Sequence, residues 1–207
     1  MTMAPDAPGA INYSVVPATV TNTDDTLGRV KVRYPWMDDR GESDWLAVAG
    51  PGAGRERGLF WIPVKDDLVL VAFSFGQLDQ GYVIGSLWST ADKPPSAGDP
   101  NKRTLKSPSG HVITLDDTGG AERISIVDKA GSTIVIDSKA KTITIESRGD
   151  LTIKATGKLA LTGDQGVTIG GKTIALDATS ELKAKGRSIA INGPSGVKIN
   201  DGALEVV

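Results

Sequence analysis

Residues 142–169 read TITIESRGDLTIKATGKLALTGDQGVTI, and the pattern in this stretch decides the fold of the C-terminal half of the chain. Pairs of aliphatic residues, each pair separated by one residue, recur here with Gly, Asp, Ser and Lys between them. From Ile134 to Leu204 the first member of each pair recurs over nine steps that average about 7.8 residues. A period sustained over so many steps predicts a repeat architecture in which each repeat is one short β-strand and one corner.

One such strand buries too little aliphatic surface to offset the entropy lost by its residues, so the strands must share a core with many neighbours. Two geometries provide that core: a three-sided solenoid made by one chain, or a prism in which three chains interweave. The periodicity alone does not choose between them. In the interwoven prism the predicted core residues are Ile134, Ile136, Ile143, Ile145, Leu151, Ile153, Leu159, Leu161, Val167, Ile169, Ile174, Leu176, Ile189, Ile191, Val197 and Ile199.

The composition divides the chain into two regimes. All ten aromatic residues lie between Tyr13 and Trp88, although the chain has 207 residues. The stretch after Trp88 is rich in Pro, Gly and Ser, which predicts an extended linker. We therefore expect a flexible N-terminus at 1–12, a globular domain at 13–90, a linker or neck at 91–108 and a β-helix needle at 109–207.

The N-terminal domain is predicted to be a small β-barrel. Short β-rich runs occupy 13–20, 28–34, 45–49, 59–64, 68–75 and 82–87, and turn-forming residues separate them. The run 68–73 is continuously apolar, which predicts a strand covered on both faces. No segment has a helical apolar period. An all-β chain with five or six short strands in this region indicates a Greek-key barrel of the OB type.

The composition argues against catalysis and against metal binding. Cysteine is absent and the single histidine is His111. Ser109 and Asp116 lie near His111 in the sequence, but we interpret His111 as a polar residue at the entry to the first strand of the needle. The segments 50–54 and 116–120 are interpreted as turns. No catalytic residue, cofactor or metal ligand is predicted.

The charge balance argues against a polyanionic partner. The formal net charge is −2, and residues 1–108 carry 11 basic and 13 acidic side chains. Nucleic-acid binding is therefore not expected. The N-terminal sequence has no basic segment followed by an apolar one, so no secretory signal peptide is predicted and synthesis in the cytoplasm is expected.

An ordered series of motifs carries a family resemblance. It consists of LGRVKVRYPW at 27–36, WLAVA at 45–49, GLFWIP at 58–63, DDLVLVAF at 66–73 and YVIGSLW at 82–88. Over 13–90 this series resembles the OB-fold domain of contractile-injection spikes: phage baseplate assembly protein V, the T4-type tail spike and VgrG proteins. The octad repeat resembles the β-helix of the same family. The signature positions are Gly28, Arg33, Pro35, Trp36, Pro63 and Gly85.

The sequence also departs from the family pattern. The turn before residue 68 commonly reads Gly-Asp-Glu-Val, and here Lys65-Asp66-Asp67-Leu68 stands in its place. Gly81 stands where proline is common. The chain starts almost at the OB region, so the large hub domain of VgrG relatives is not expected, and the His-x-His of iron-tipped phage spikes is lacking.

The resemblance implies a homotrimeric structural spike that is not an enzyme. Its OB domains would join the baseplate hub or tube-initiator protein, and its needle would puncture the target cell envelope. Its place would be the baseplate of a phage tail or of a contractile injection particle. Because the final strand ends without a capping loop, a PAAR-type tip protein is expected to dock on Leu204, Val206 and Val207.

Two other function classes stay open at this point. A trimeric adhesin would bind glycans through the OB loops, and it predicts exposed aromatic residues in 36–45 or 50–61. An oligosaccharide- or nucleic-acid-binding OB module with a repeat stalk is the other alternative, and for nucleic acid the acidic balance disfavours it.

Overall fold

The computed structural model describes residues 15–77 and 79–197, and the described chain is all-β apart from two short 3₁₀ turns. Five strands form a first sheet: β1 (Val15–Asn22), β2 (Lys31–Arg33), β3 (Ala47–Val48), β4 (Leu68–Phe73) and β5 (Gly81–Ser86). Five more form a second sheet: β6 (Lys102–Lys106), β7 (Val112–Asp116), β8 (Arg123–Val127), β9 (Thr133–Asp137) and β10 (Thr142–Glu146).

The first sheet closes into a barrel. Its strand order is β2-β1-β4-β5-β3, with every neighbouring pair antiparallel except β3 and β5. An antiparallel bridge between Val30 and Leu46 joins the two outer strands and closes the ring. Five strands in a closed Greek-key order form the OB barrel that the sequence predicts, and closure removes the edges at which an open sheet aggregates.

The barrel core is aliphatic and contains few rings. Its buried side chains are Ala18, Val20, Val30, Val32, Tyr34, Leu46, Val69, Val71, Phe73 and Val83. In β4 the buried residues alternate with half-buried ones, so only one face of this strand is fully covered. The expectation that both faces of 68–73 are buried was wrong, because the outer face of a small barrel meets solvent.

The strand expected at 59–64 is not observed. The backbone of this segment bonds outside any ladder: the N–H of Leu59 donates to the carbonyl oxygen of Pro51 at 3.0 Å, and the N–H of Val64 donates to the Asp67 carboxylate at 2.9 Å. Within 59–64, Ile62 packs against the barrel core and Pro63 is buried, whereas the other four apolar side chains are exposed: Leu59, Phe60, Trp61 and Val64.

The second sheet is an antiparallel meander in the order β10-β9-β8-β7-β6. Its first strand, Lys102–Lys106, lies within the segment for which the sequence predicts a neck, so the sheet begins before the expected start of the needle at 109. Alternating residues along this strand, Arg103 and Leu105, pair with Leu115 and Ile113 of β7. This pairing gives Lys102–Lys106 a ladder partner, although the preceding composition is typical of a linker.

The chain divides into two units, of which the first ends at Leu151 and the second begins at Thr152. In residues 152–197 the aliphatic pairs continue, but no strand forms and every residue is exposed. The backbone hydrogen bonds within this described segment close two turns, Gly166 to Gly163 and Gly196 to Gly193. Within 152–197 a single chain therefore forms no ladder of its own.

Candidate functional site

The meander presents one aliphatic face, and its register explains why. Residues that pair across the strands form two rows: Leu105, Ile113, Ile126, Ile134 and Ile145 in one, and Leu115, Ile124, Ile136 and Ile143 in the other. Side chains two apart on a strand share a face, so these nine side chains lie on one face of the sheet. We call them the aliphatic face.

The opposite face of the meander is mostly polar. Its central row consists of Thr104, Thr114, Ser125, Val135 and Thr144. Each residue of the aliphatic face is exposed in the single chain, and Ile143 on the edge strand is 70% exposed. A sheet with one apolar and one polar face is stable in water only when the apolar face is covered.

The predicted core residues fall into three groups. Ile134, Ile136, Ile143 and Ile145 lie in the aliphatic face. The next eleven, from Leu151 to Val197, lie in the exposed segment that has no ladder in the single chain. Ile199 and the predicted tip-docking residues Leu204, Val206 and Val207 lie outside the described residues, as does the predicted N-terminal segment 1–12.

Of the OB signature positions, two shape the barrel ends. Gly28 has φ +70°, and the Phe60 ring lies 3.0 Å from where a Cβ at this position would stand, so any other residue is both strained and crowded. Gly85 lies in β5 opposite Leu70, where the register with β4 shifts by a bulge. Pro63 is buried, Pro35 is exposed, and the Arg33 side chain donates to the carbonyl oxygen of Asp39 at 3.2 Å.

The aromatic pair Tyr34–Trp36 links the core to the surface. The Tyr34 ring stacks on Trp36 with centroids 4.9 Å apart and packs against Phe73, whose ring centroid is 5.5 Å away. Burial raises the pKa of Tyr34 to about 12. Trp36 remains 46% exposed.

Sequence reasoning missed a clamp in the β1–β2 turn. Asp25 accepts two side-chain hydrogen bonds from Arg29, both at 3.0 Å, and backbone hydrogen bonds from Arg29 and Leu27. The side-chain hydrogen bonds of Arg29 are the main reason that the pKa of Asp25 falls to about 2. The i, i+4 spacing of the two residues was the available signal, but it is common in turns and helices alike.

The residues considered for catalysis do not come together. The backbone N–H of His111 donates to the hydroxyl of Ser107, whose Oγ lies 3.1 Å from that of Ser109. Asp116 lies at the other end of β7, where it accepts hydrogen bonds from Thr118 and lies 3.7 Å from Arg123. Its pKa is lowered, chiefly by the Thr118 hydrogen bonds. This geometry assembles no Ser-His-Asp triad.

The described residues contain no cluster of three or more His, Asp or Glu able to hold a metal ion. Within 15–77 and 79–197 there is also no helix long and apolar enough to cross a membrane. Segment 50–54 forms turns, and the amide and hydroxyl of Thr118 close a turn on Asp116, as the sequence analysis expected for both segments.

Comparison with known proteins identifies the barrel. Residues 16–88 match the Type VI secretion system/phage-baseplate injector OB domain. The chain is 34% identical over 106 residues to the Type VI secretion system spike protein VgrG2a of Pseudomonas aeruginosa, with 45% of this chain and 12% of that protein covered.

Two further spike proteins are similar over the same order of length. VgrG3 of Vibrio cholerae is 30% identical over 111 residues, covering 48% of this chain and 11% of that protein. VgrG5 of Pseudomonas aeruginosa is 33% identical over 123 residues, covering 53% of this chain and 15% of that protein. The matches thus span a small part of these relatives. The resemblance to contractile-injection spike proteins that the sequence motifs predict is confirmed.

Proposed function

We propose that this chain is the structural central spike of a contractile injection machine and that it acts as a homotrimer. The OB match and the VgrG spike relatives support the spike role. The aliphatic face carries the trimer proposal, because nine exposed Leu and Ile side chains on one sheet face need a cover that residues 15–77 and 79–197 do not supply. Burying the exposed half of each of these side chains should stabilise the assembly by on the order of 10 kcal/mol of free energy per chain.

The shortening of the repeat supports an interwoven needle after the meander. The aliphatic pairs beginning at Ile124, Ile134 and Ile143 are 10 and 9 residues apart, and those after Leu151 are 8 or 7 apart. A five-residue strand plus a reversing turn fits the longer step. The shorter step fits a corner that carries consecutive strands to another face, which in the interwoven prism lets them pair with strands of the other chains.

Such a needle suits mechanical work. Three interwoven chains leave lateral edges paired, and no chain can detach without breaking ladders along the needle. In this proposal the OB domains join the hub or tube-initiator protein of the baseplate. Sheath contraction then drives the spike through the target envelope. A PAAR-type tip protein on Leu204, Val206 and Val207 completes the proposed particle.

The trimer is tested with two adjacent positions of β9. Ile134 belongs to the aliphatic face, and Val135 belongs to the opposite face. We expect the wild-type chain to have a native mass of about 65 kDa by light scattering, which is three times 21.6 kDa. Ile134→Thr should weaken the trimer because it buries an unpaired hydroxyl, and the matched control Val135→Thr should leave the mass unchanged.

A wild-type mass of 21.6 kDa would contradict the trimer. Equal effects of the two substitutions would contradict burial of the aliphatic face. Persistence of the wild-type trimer in hot SDS would further support interweaving, because an interwoven assembly is lost only when whole ladders unfold.

A trimeric adhesin is the second candidate, and one observation favours it. The aromatic residues Trp36, Phe60 and Trp61 are exposed, and they lie in 36–45 and 50–61, where the adhesin alternative predicts exposed aromatic residues. This candidate requires that Phe60 and Trp61 remain open to solvent in the assembled protein. The spike proposal has the support of the named relatives, which the adhesin candidate lacks.

A further inference from the structure

The barrel carries an open cleft that neither the barrel core nor the aliphatic face includes. Its volume is about 510 Å³, which lies within the range of sites that bind small ligands. It is lined by residues 27–29 of the β1–β2 loop, by β3, and by residues within the segment 49–62. We call it the aromatic cleft, because Phe60 and Trp61 belong to its lining.

The two aromatic residues give the cleft an exposed apolar wall. Phe60 is 78% exposed and Trp61 is 51% exposed. The Phe60 ring lies against the backbone of Gly28, so the β1–β2 loop fixes its position. Aromatic rings in an open cleft offer flat apolar area to a ligand that keeps its other side in water.

The charges of the aromatic cleft balance. Glu56 and Arg57 line it, and neither side chain forms an ion pair or a hydrogen bond within 15–77 and 79–197. The third charged residue of the lining, Arg29, is neutralised by Asp25 at 3.0 Å. A balanced cleft does not suit a polyanion, whose binding needs an excess of basic residues. It offers a neutral ligand one carboxylate as an acceptor and one guanidinium as a donor.

The loop that carries these two charges is held by its own backbone. The N–H of Gly54 donates to the carbonyl oxygen of Arg57 at 3.1 Å, and the N–H of Arg57 donates to that of Gly54 at 3.3 Å. Between them, Glu56 has φ +52°, a left-handed conformation that is uncommon for a residue with a Cβ. Backbone strain of this kind is frequent at ligand sites. A loop that is already ordered also lowers the entropy cost of binding.

We propose that the aromatic cleft binds a neutral oligosaccharide. A sugar ring has an apolar face of C–H groups that fits the rings of Phe60 and Trp61, and its hydroxyl groups can donate to Glu56 and accept from Arg57. By analogy of fold, OB barrels bind oligosaccharides on their second and third strands and at the loop between the first two, which is where this cleft lies. The inference rests on the adhesin candidate and deepens it, and it requires that the cleft stay open in the assembled protein.

Calorimetric titration of the full chain tests the site with two neutral trisaccharides, triacetylchitotriose and maltotriose, and with the anionic trigalacturonate. We expect at least one neutral sugar to bind and trigalacturonate to bind more weakly. Trp61→Ala should weaken the binding of the neutral sugar about tenfold, because it removes one ring of the cleft. The matched control Trp88→Ala removes another exposed tryptophan, which does not line this cleft, and should leave the Kd unchanged.

The charge balance is tested separately with Glu56→Gln. This change leaves Arg57 without a neighbouring carboxylate, so the affinity for the neutral sugar should fall several-fold and the affinity for trigalacturonate should rise. Circular dichroism and native mass should match those of the wild-type chain, because Glu56 lies outside the barrel core.

The outcomes separate this site from the other proposals. Binding of a neutral sugar that Trp61→Ala and Trp88→Ala weaken equally overturns the cleft as the site but not the adhesin candidate. A wild-type chain that binds trigalacturonate more tightly than both neutral sugars overturns the ligand class. A trimer that binds neither neutral sugar overturns the site and the adhesin candidate and leaves the spike proposal standing.

Discussion

At the scale of single residues, the Asp25–Arg29 pair shows how a turn is fixed by charge as well as by backbone geometry. Asp25 accepts four hydrogen bonds from Arg29 and Leu27, and its side chain is only 9% exposed. The clamp closes the turn that precedes β2 and positions Gly28, over which Phe60 packs. One carboxylate thus sets the backbone beneath the exposed ring of Phe60.

This pair makes stability depend on pH in the acid range. The folded-state pKa of Asp25 is about 2, below its ordinary value of 3.8, so its contribution is present above pH 3.8 and is lost as pH falls towards 2. We expect Asp25→Asn to lower the melting temperature at neutral pH, and the gap from wild type to narrow between about pH 4 and 2. Melting curves by circular dichroism measure this.

The neighbouring substitution Asp24→Asn is the control. It removes the same charge without touching Arg29, so it should leave the melting temperature nearly unchanged. A gap between wild type and Asp25→Asn that stays constant down to pH 2 would show that the clamp is not electrostatic.

At the scale of elements, the meander is built from hairpins whose turns require a left-handed residue. In the first three hairpins the left-handed residue is a glycine with φ between +76° and +99°: Gly110, Gly120 and Gly131. In the fourth hairpin the left-handed residue is Lys141, with φ +55°. The left-handed conformation costs a residue with a Cβ about 1 kcal/mol, so the β9–β10 hairpin is strained at Lys141.

Lys141→Gly should therefore stabilise the sheet by about a few tenths of a kcal/mol, because relief of the left-handed conformation outweighs only slightly the unfolded-state entropy that glycine gains. Lys139→Gly, in the same turn but at ordinary φ, should destabilise the protein by a few tenths to about 1 kcal/mol through its gain in unfolded-state entropy. Urea unfolding monitored by circular dichroism separates the two. Destabilisation by Lys141→Gly would mean that the side chain itself contributes to the turn.

At the scale of the whole molecule, the aliphatic face needs a cover, and in our proposal copies of the same chain provide it. We also propose that a tip protein docks on the C-terminal residues. Together they describe a spike whose parts are held by interchain burial, which suits resistance to axial load.

The tip contact has its own prediction. Changing both Leu204 and Val206 to Asp should abolish binding of a PAAR-type tip protein in a pull-down with the full trimer, because charges would face an apolar seat. The native mass should stay that of a trimer. The matched substitution Glu205→Gln, between the two, should retain binding. Tip binding that survives the double Asp change would remove this proposal.

The sequence alone determined the all-β class, the OB barrel, the repeat and the spike resemblance. These features are encoded locally, in strand alternation, turn residues and a period that any single chain displays. It also predicted turns at 50–54 and 116–120. It failed at 59–64, where a β-rich segment forms no ladder and most of its apolar side chains are exposed.

The strand pairing, and the side chains that it leaves uncovered, could be read only from the folded chain. The register that aligns nine aliphatic side chains on one face depends on strand partners distant in sequence. The same is true of the strand Lys102–Lys106, which forms inside a linker-like segment. Periodicity fixes which side chains share a face. Periodicity does not tell whether that face contacts the same chain, another chain or water. That depends on strand pairing and burial between residues distant in sequence.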